Sequence, residues 1–199
     1  MRRVPELFVG LFLLIAAGPA WAQVSTDPKQ AATGAYQMET RHTQVLFSIL
    51  HGGLTDYYGW FGKVSGSLIF DAHEPRKSSV EVAIDTGSVN LKAPELIGEV
   101  TAKAVFDTAD FPQATFKSTA GTLTGSTSGT VTGDLTIKGI TKPVTFDVTF
   151  KGASGNQIAF HADAVIKRSD YDMTSMRWAS FVGDDVHLII EALFQQRKP

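Results

Sequence analysis

Apolar and polar residues alternate with a period of two along most of the chain beyond about residue 34. In the clearest case Val144, Phe146, Val148 and Phe150 alternate with Thr145, Asp147, Thr149 and Lys151. Successive strand side chains point to opposite faces, so this pattern predicts a strand with one buried side. The same apolar phase runs through Val45, Phe47 and Ile49, through Val64, Leu68 and Phe70, and through Val80, Val82 and Ile84. It returns at Val131, Leu135 and Ile137, at Ile158, Phe160 and Ile166, and at Val186, Leu188, Ile190 and Phe194.

Adding the stretch from Ala114 to Leu123, which holds Phe116, gives about eight strands. Turn-forming sequences such as Gly125-Ser126-Thr127-Ser128-Gly129, Lys138-Gly139 and Ser154-Gly155-Asn156 separate them. Strands joined in sequential hairpins form an antiparallel meander. The prediction is an all-β, eight-stranded antiparallel β-barrel, whose closure removes exposed edges and leaves an interior that is either filled or holds one small ligand. One segment departs from alternation: Pro94 to Val105 is rich in helix formers and opens on a proline. It predicts one short helix between strands, with Leu96, Val100 and the stem of Lys103 toward the barrel, placed to lid one end.

The N-terminus reads as an address. Arg2 and Arg3 precede an apolar run from Leu7 to Ala17, then Gly18-Pro19 and Ala20-Trp21-Ala22. The run is shorter than the roughly 20 residues of a bilayer span and ends in an A-x-A site, so residues 1–22 are expected to be a cleaved signal peptide of the Sec type. The alternative is an uncleaved anchor. Residues 23–33 then form a flexible lead and 34–199 the barrel domain.

The whole chain carries a net charge of −2, and removing Arg2, Arg3 and Glu6 with the leader makes the remainder slightly more acidic. Without a basic cluster to neutralise phosphates, nucleic acid is excluded as a partner. Cysteine is absent, which removes disulfides, thiolate catalysis and Cys-based metal sites. No G-x-S-x-G elbow, H-E-x-x-H pair or phosphate-binding glycine loop occurs, so no enzyme class is indicated. His161 and His187 fall on polar phases and read as solvated, unless paired strands assemble them into a metal site.

On the inward phases large residues are interspersed with small ones: Gly66, Ala114, Ser118, Gly133, Ala162, Ala164 and Ala192. Two readings stand. Small and large side chains either interlock in a tapering, fully packed barrel or leave a tunnel.

From Tyr36 to the C-terminus the chain resembles the YceI family of exported, lipocalin-like, polyisoprenoid-binding proteins. The segments that carry the likeness are TQVLFSILHGG, GWFGKVSGSLIFD, SVEVAIDTGSVN, FDTADFPQATFKS, GDLTIKGITKPVTFDVTF and IKRSDYDM, in that order. Members usually carry a charged, histidine-containing stretch where this chain has APELIGEVTAKAVFD, so the helix region diverges.

The resemblance implies a hydrophobic tunnel holding an isoprenoid chain, polyprenyl or quinone-type, in the periplasm, with no other cofactor and no metal. Its walls are expected from Val45, Phe47, Ile49, Leu68 and Phe70, from Val82, Ile84, Phe116 and Leu135, and from Phe146, Val148, Phe160, Ala164, Leu188 and Ile190. Candidates for the head group or the mouth are His51, Trp60, Arg168, Asp170, Tyr171 and Trp178. For Arg168 the alternative is an ion pair with Asp170 or Asp172, and for the aromatics it is rim packing or transient membrane contact. Two rival functions stay open, an enzyme acting on a bound lipid through His51 with Asp56 or the Arg168 to Asp172 cluster, and a stress-protective module with a solid core. The oligomeric state is left open by the sequence.

Overall fold

A computed structural model describes residues 23–175 and 177–197. The leader expected over residues 1–22 lies outside them. The chain forms eleven strand segments: β1 (Gly34–Met38), β2 (Gln44–His51), β3 (Thr55–Phe61), β4 (Val64–Phe70), β5 (Ser79–Asp85), β6 (Val89–Leu91), β7 (Gln113–Leu123), β8 (Ser128–Ile137), β9 (Ile140–Ser154), β10 (Gln157–Lys167) and β11 (Val182–Gln196). All pairings are antiparallel.

Three of the long strands are interrupted, which reconciles eleven segments with the eight expected. β1 and β2 both pair with β11 and run as one stave, broken where the Glu39 carboxylate accepts from the His42 amide at 2.9 Å and from Arg41 Nε at 3.1 Å. β3 and β4 form the second stave and β5 and β6 the third. A 3-10 turn, Thr86–Ser88, capped by Asp85 Oδ1 on the Gly87 amide, divides the third. The ring then runs β7, β8, β9, β10, β11 and closes on β1 through Tyr36↔Gln196, Gln37↔Gln195 and Met38↔Phe194. The result is a closed eight-stranded antiparallel barrel with one short helix.

Hairpin chemistry follows the sequence signals. Lys138 and Gly139 both adopt positive φ, 52° and 73°, as a two-residue turn between strands of right-handed twist requires. A β-bulge between Ser118 and Ala120 shifts the β7–β8 register, and beyond it β7 loses clean alternation.

One expectation is corrected. The helix is shorter than Pro94 to Val105: a 3-10 turn, Pro94–Leu96, leads into α1 (Ile97–Thr101), and Ala102 is extended. The chain turns there because the Val105 and Asp107 amides both bond the Ala102 carbonyl, which swings Val105 and Phe106 inward and leaves Lys103 exposed. The lead, expected to be flexible, lies against the barrel. Ser25 exchanges main-chain hydrogen bonds with Ala153 at 2.9 and 2.8 Å, Ala31 is buried in the core, and Thr33 Oγ1 accepts from the Ala72 amide.

Candidate functional site

The interior is not solid. Two apolar clusters occupy it, one around Tyr36, Phe70, Phe150 and Phe194 and the other around Val100, Leu135, Ile166 and Tyr171. A cavity of about 360 Å³ is lined by residues of both. That volume lies in the range of about 300–1,000 Å³ of small-molecule sites.

Its wall is the inward phase of the strands. β2 contributes Val45, Phe47 and Ile49, β4 Leu68 and Phe70, and β5 Val82 and Ile84. Phe116 on β7, Leu135 on β8, Phe146 and Val148 on β9, Phe160 on β10, and Leu188 and Ile190 on β11 complete it. Rings brace one another across the strands: Phe116 and Phe146 meet edge to face at 5.1 Å, as do Phe150 and Phe160 at 5.4 Å.

Ala164 is the exception among the expected wall residues. It is buried on the inward phase but does not line the cavity. Its side chain ends at one carbon, and the wall there is formed by Leu188, directly opposite in the register.

Small residues are divided between both readings of the sequence. Ala114, Ser118, Ala162 and Ala192 border open space. Gly133 does not, because the Phe116 ring covers it, and Gly66 is approached by Met38.

One end of the cavity is closed. Val100 from α1, Val105 and Phe106 cover it from one side, and Arg168, Tyr171, Met173 and Trp178, from the connection between β10 and β11, cover it from the other. The two halves are strapped together: Glu99 accepts from Trp178 Nε1 at 2.5 Å and from Arg177 Nη2 at 2.9 Å. Phe61 and Phe106 meet at 5.6 Å.

Arg168 stiffens this cap from within. Its guanidinium donates to the main-chain carbonyls of Met173, Gly183 and Ala179 at 2.6, 2.9 and 3.0 Å. The expected ion pair with Asp170 or Asp172 is replaced by these contacts, since Asp170 is exposed and Asp172 faces Lys138 Nζ at 3.7 Å.

Tyr171 is 1% exposed, and its hydroxyl is buried without a hydrogen-bond partner among the described residues. Such an unmatched group costs about 1–3 kcal/mol. Burial, and then the charge of Asp170, push its pKa up to about 12. The phenol therefore stays protonated, as a donor, at neutral pH.

The opposite end opens to solvent. There the lining includes Pro28, Pro75 and Arg76 beside the β7–β8 hairpin, where Arg76, Thr122, Leu123 and Ser126 are exposed. Sequence reasoning missed this mouth. Its available signal was Leu123, an apolar residue at a strand end next to a serine-rich turn.

Of the six head-group or mouth candidates, Arg168, Tyr171 and Trp178 reach the cavity and His51, Trp60 and Asp170 do not. Trp60 sits on the outward phase of β3, 46% exposed, and His51 is exposed at the β2–β3 turn, near Tyr57. His51 and Asp56 are not brought together. Thr55 opposes His51 and Leu50 opposes Asp56, so the two side chains point to opposite faces of the sheet. His161 is held by Glu191 at 2.8 Å on the outer surface, and no group of three His, Asp or Glu residues among the described residues could hold a metal.

A closed antiparallel barrel around an apolar chamber defines the class of small barrels that enclose a cavity. The chain belongs to the YceI family: the YceI-like domain matches residues 36–194. It is 31% identical over 180 residues to a UPF0312 protein of Vibrio parahaemolyticus, covering 88% of this chain and 95% of that one. A UPF0312 protein of Yersinia pestis is 35% identical over 177 residues, with coverage of 86% and 88%.

Among solved structures, BcnA of Burkholderia cenocepacia superposes with a TM-score of 0.74 at 30% identity, covering 78% of this chain and 98% of that one. A polyisoprenoid binding domain from Saccharophagus degradans shares the fold, with a TM-score of 0.65, 17% identity and coverage of 81% and 98%.

Proposed function

We propose that the protein binds an isoprenoid lipid in the barrel interior and carries or stores it in the periplasm, without acting on it chemically. The observation that carries the reading is the chamber itself, walled by aliphatic and aromatic side chains from all around the barrel and open at one end. Membership of the YceI family and a shared fold with a polyisoprenoid binding domain support a lipid as the occupant.

Energetics suit a carrier. Burial of hydrocarbon from water is worth about 0.8 kcal/mol per CH₂, so one five-carbon unit contributes about 3–4 kcal/mol at most. A bilayer offers the same chain an equally apolar surrounding. Net preference between barrel and membrane is therefore small, which permits loading and release by contact with a membrane.

Neither catalytic arrangement that the sequence suggested is assembled. His51 and Asp56 lie on opposite faces, and the carboxylates near Arg168 point away from the cavity or toward Lys138.

Organic extraction of freshly purified exported protein, followed by mass spectrometry, is expected to recover a prenyl lipid, and the intact mass is expected to correspond to a chain beginning at Gln23. Protein that is repeatedly empty and takes up no added prenyl lipid would overturn the binding role. A mass that retains residues 1–22 would overturn cleavage of the leader and favour the uncleaved anchor.

A further inference from the structure

A second concavity, a groove of about 210 Å³, lies on the outer wall of the barrel, where Ser48, Asp56, Tyr58, Asp163, Val165 and His187 line it. Strand phase explains the set. Phe47, Ile49 and Leu188 face the chamber, so Ser48 on β2 and His187 on β11, directly opposite each other in the register, face outward. Tyr58 opposes Ser48 from β3 and Val165 opposes His187 from β10, which makes one row across four strands.

Ser48 is only 4% exposed although it stands on the outer face, and its hydroxyl has no hydrogen-bond partner among the described residues. Unlike the Tyr171 hydroxyl, it is reached from the groove that it lines. Buried hydroxyls are nearly always matched, so this one points to a partner supplied from outside the chain. Asp56 and His187 likewise have no hydrogen bond or ion pair among the described residues, and Asp163 has a 3.4 Å contact with His161 Nε2. No lysine or arginine lines the groove among the described residues. Two carboxylates with no cation between them attract a cationic occupant and repel a phosphate or carboxylate.

The carboxylates stand at opposite ends of the groove. Asp56 opposes Leu50 on β2, whereas Asp163 opposes Ile189, which in turn faces Leu46. At the usual strand spacing and rise, that offset puts their backbones about 20 Å apart, a gap that the two side chains narrow by reaching into the groove. One ammonium cannot meet both. A linear polyamine can, with methylenes over Val165 and the Tyr58 ring between its charges.

We propose that this groove binds a linear polyamine, with terminal ammonium groups on the Asp56 and Asp163 carboxylates and an inner ammonium donating to the Ser48 hydroxyl. The site is separate from the lipid chamber and stands whether or not that chamber holds a lipid.

The test is calorimetric titration of spermidine into the purified exported protein. Asp56→Asn and Asp163→Asn each keep the side-chain shape and remove one charge, and each is expected to weaken binding about three- to tenfold. Ser48→Ala is expected to weaken it about two- to fivefold. Asp134→Asn, at an exposed position on β8 outside the groove, is expected to change nothing. Triethylene glycol, an uncharged chain of similar length, should not bind, and propylamine, too short to meet both carboxylates, should bind at least about tenfold more weakly than spermidine.

No spermidine binding by the parent, or propylamine binding as tightly, would overturn the proposal. An equal loss in Asp134→Asn would do the same, since it marks diffuse attraction to an acidic surface. A further variant leaves every carboxylate in place. Val165→Arg, on the exposed wall of the groove, brings in a guanidinium and is expected to abolish spermidine binding with the thermal melt unchanged; parent-like binding by that variant places the polyamine elsewhere and overturns the site.

Discussion

The ring of Phe116 lies over Gly133, close enough that a methyl group in place of the glycine hydrogen would sit 2.5 Å from it. The Lys117 carbonyl oxygen crowds the same point. Phe116 also faces the cavity, so Gly133 fixes the wall by letting the ring lie flat against β8. Gly133→Ala is expected to destabilise the barrel by about 1–3 kcal/mol, read from urea or thermal unfolding. Unchanged stability would mean that the ring moves aside at little cost.

Ala162 borders the chamber between Val148 on β9 and Ile190 on β11. Ala162→Phe should fill space that a lipid tail would occupy. We expect bound lipid to fall about tenfold, equivalent to about 1.4 kcal/mol, with secretion retained. Thr149→Phe, on the outward phase of β9, serves as the control, and extraction of both variants compares them.

Tyr171 links stability to alkaline pH. Its folded pKa, raised from 10.0 to about 12, means that the unfolded chain loses this proton first as pH rises. The contribution is complete below about pH 10 and declines between about pH 10 and 12, by about 3 kcal/mol in all. Tyr171→Phe should flatten that part of the stability profile relative to the parent. Parallel profiles for the two proteins would show that the hydroxyl is not shielded.

Glu99 joins α1 to the β10–β11 connection through Trp178 and Arg177. Glu99→Ala should loosen the cap, costing about 1–2 kcal/mol and accelerating hydrogen exchange over residues 97–101. Trp178 fluorescence should shift to the red as its indole gains water. Exchange rates like those of the parent would show that apolar contacts alone hold α1 down.

Alternation made the barrel and most of its inner wall readable, because a closed sheet with one buried face leaves a period of two in every strand. The wall residues from Val45 to Ile190 lie where that phase puts them, apart from Ala164, whose short side chain leaves the surface to Leu188. Period two says nothing about how full the interior is. Gly133 and Ala162 look alike in sequence, yet one is roofed by Phe116 and the other borders a void.

The ends of the barrel were harder to read. Trp178 meets Glu99 across 79 residues of chain, and the mouth lies beyond a bulge near Ser118 that breaks the alternation used to find strands. Helix-forming residues continue to Lys103, but the backbone turns at Ala102 so that Val105 and Phe106 reach the chamber. Tertiary demand overrides local propensity there. Strand phase also separates His51 from Asp56, which their nearness in sequence conceals.

The seam between β1 and β11 joins residues from the two extremes of the domain. A cylinder stitched this way cannot be completed by any shorter stretch of chain: until the final strand has been synthesised, the sheet is an open ribbon with two bare edges. If the chain is exported unfolded, as proposed above, this delay is useful, because an unfinished ribbon still threads through a narrow channel and a finished cylinder does not.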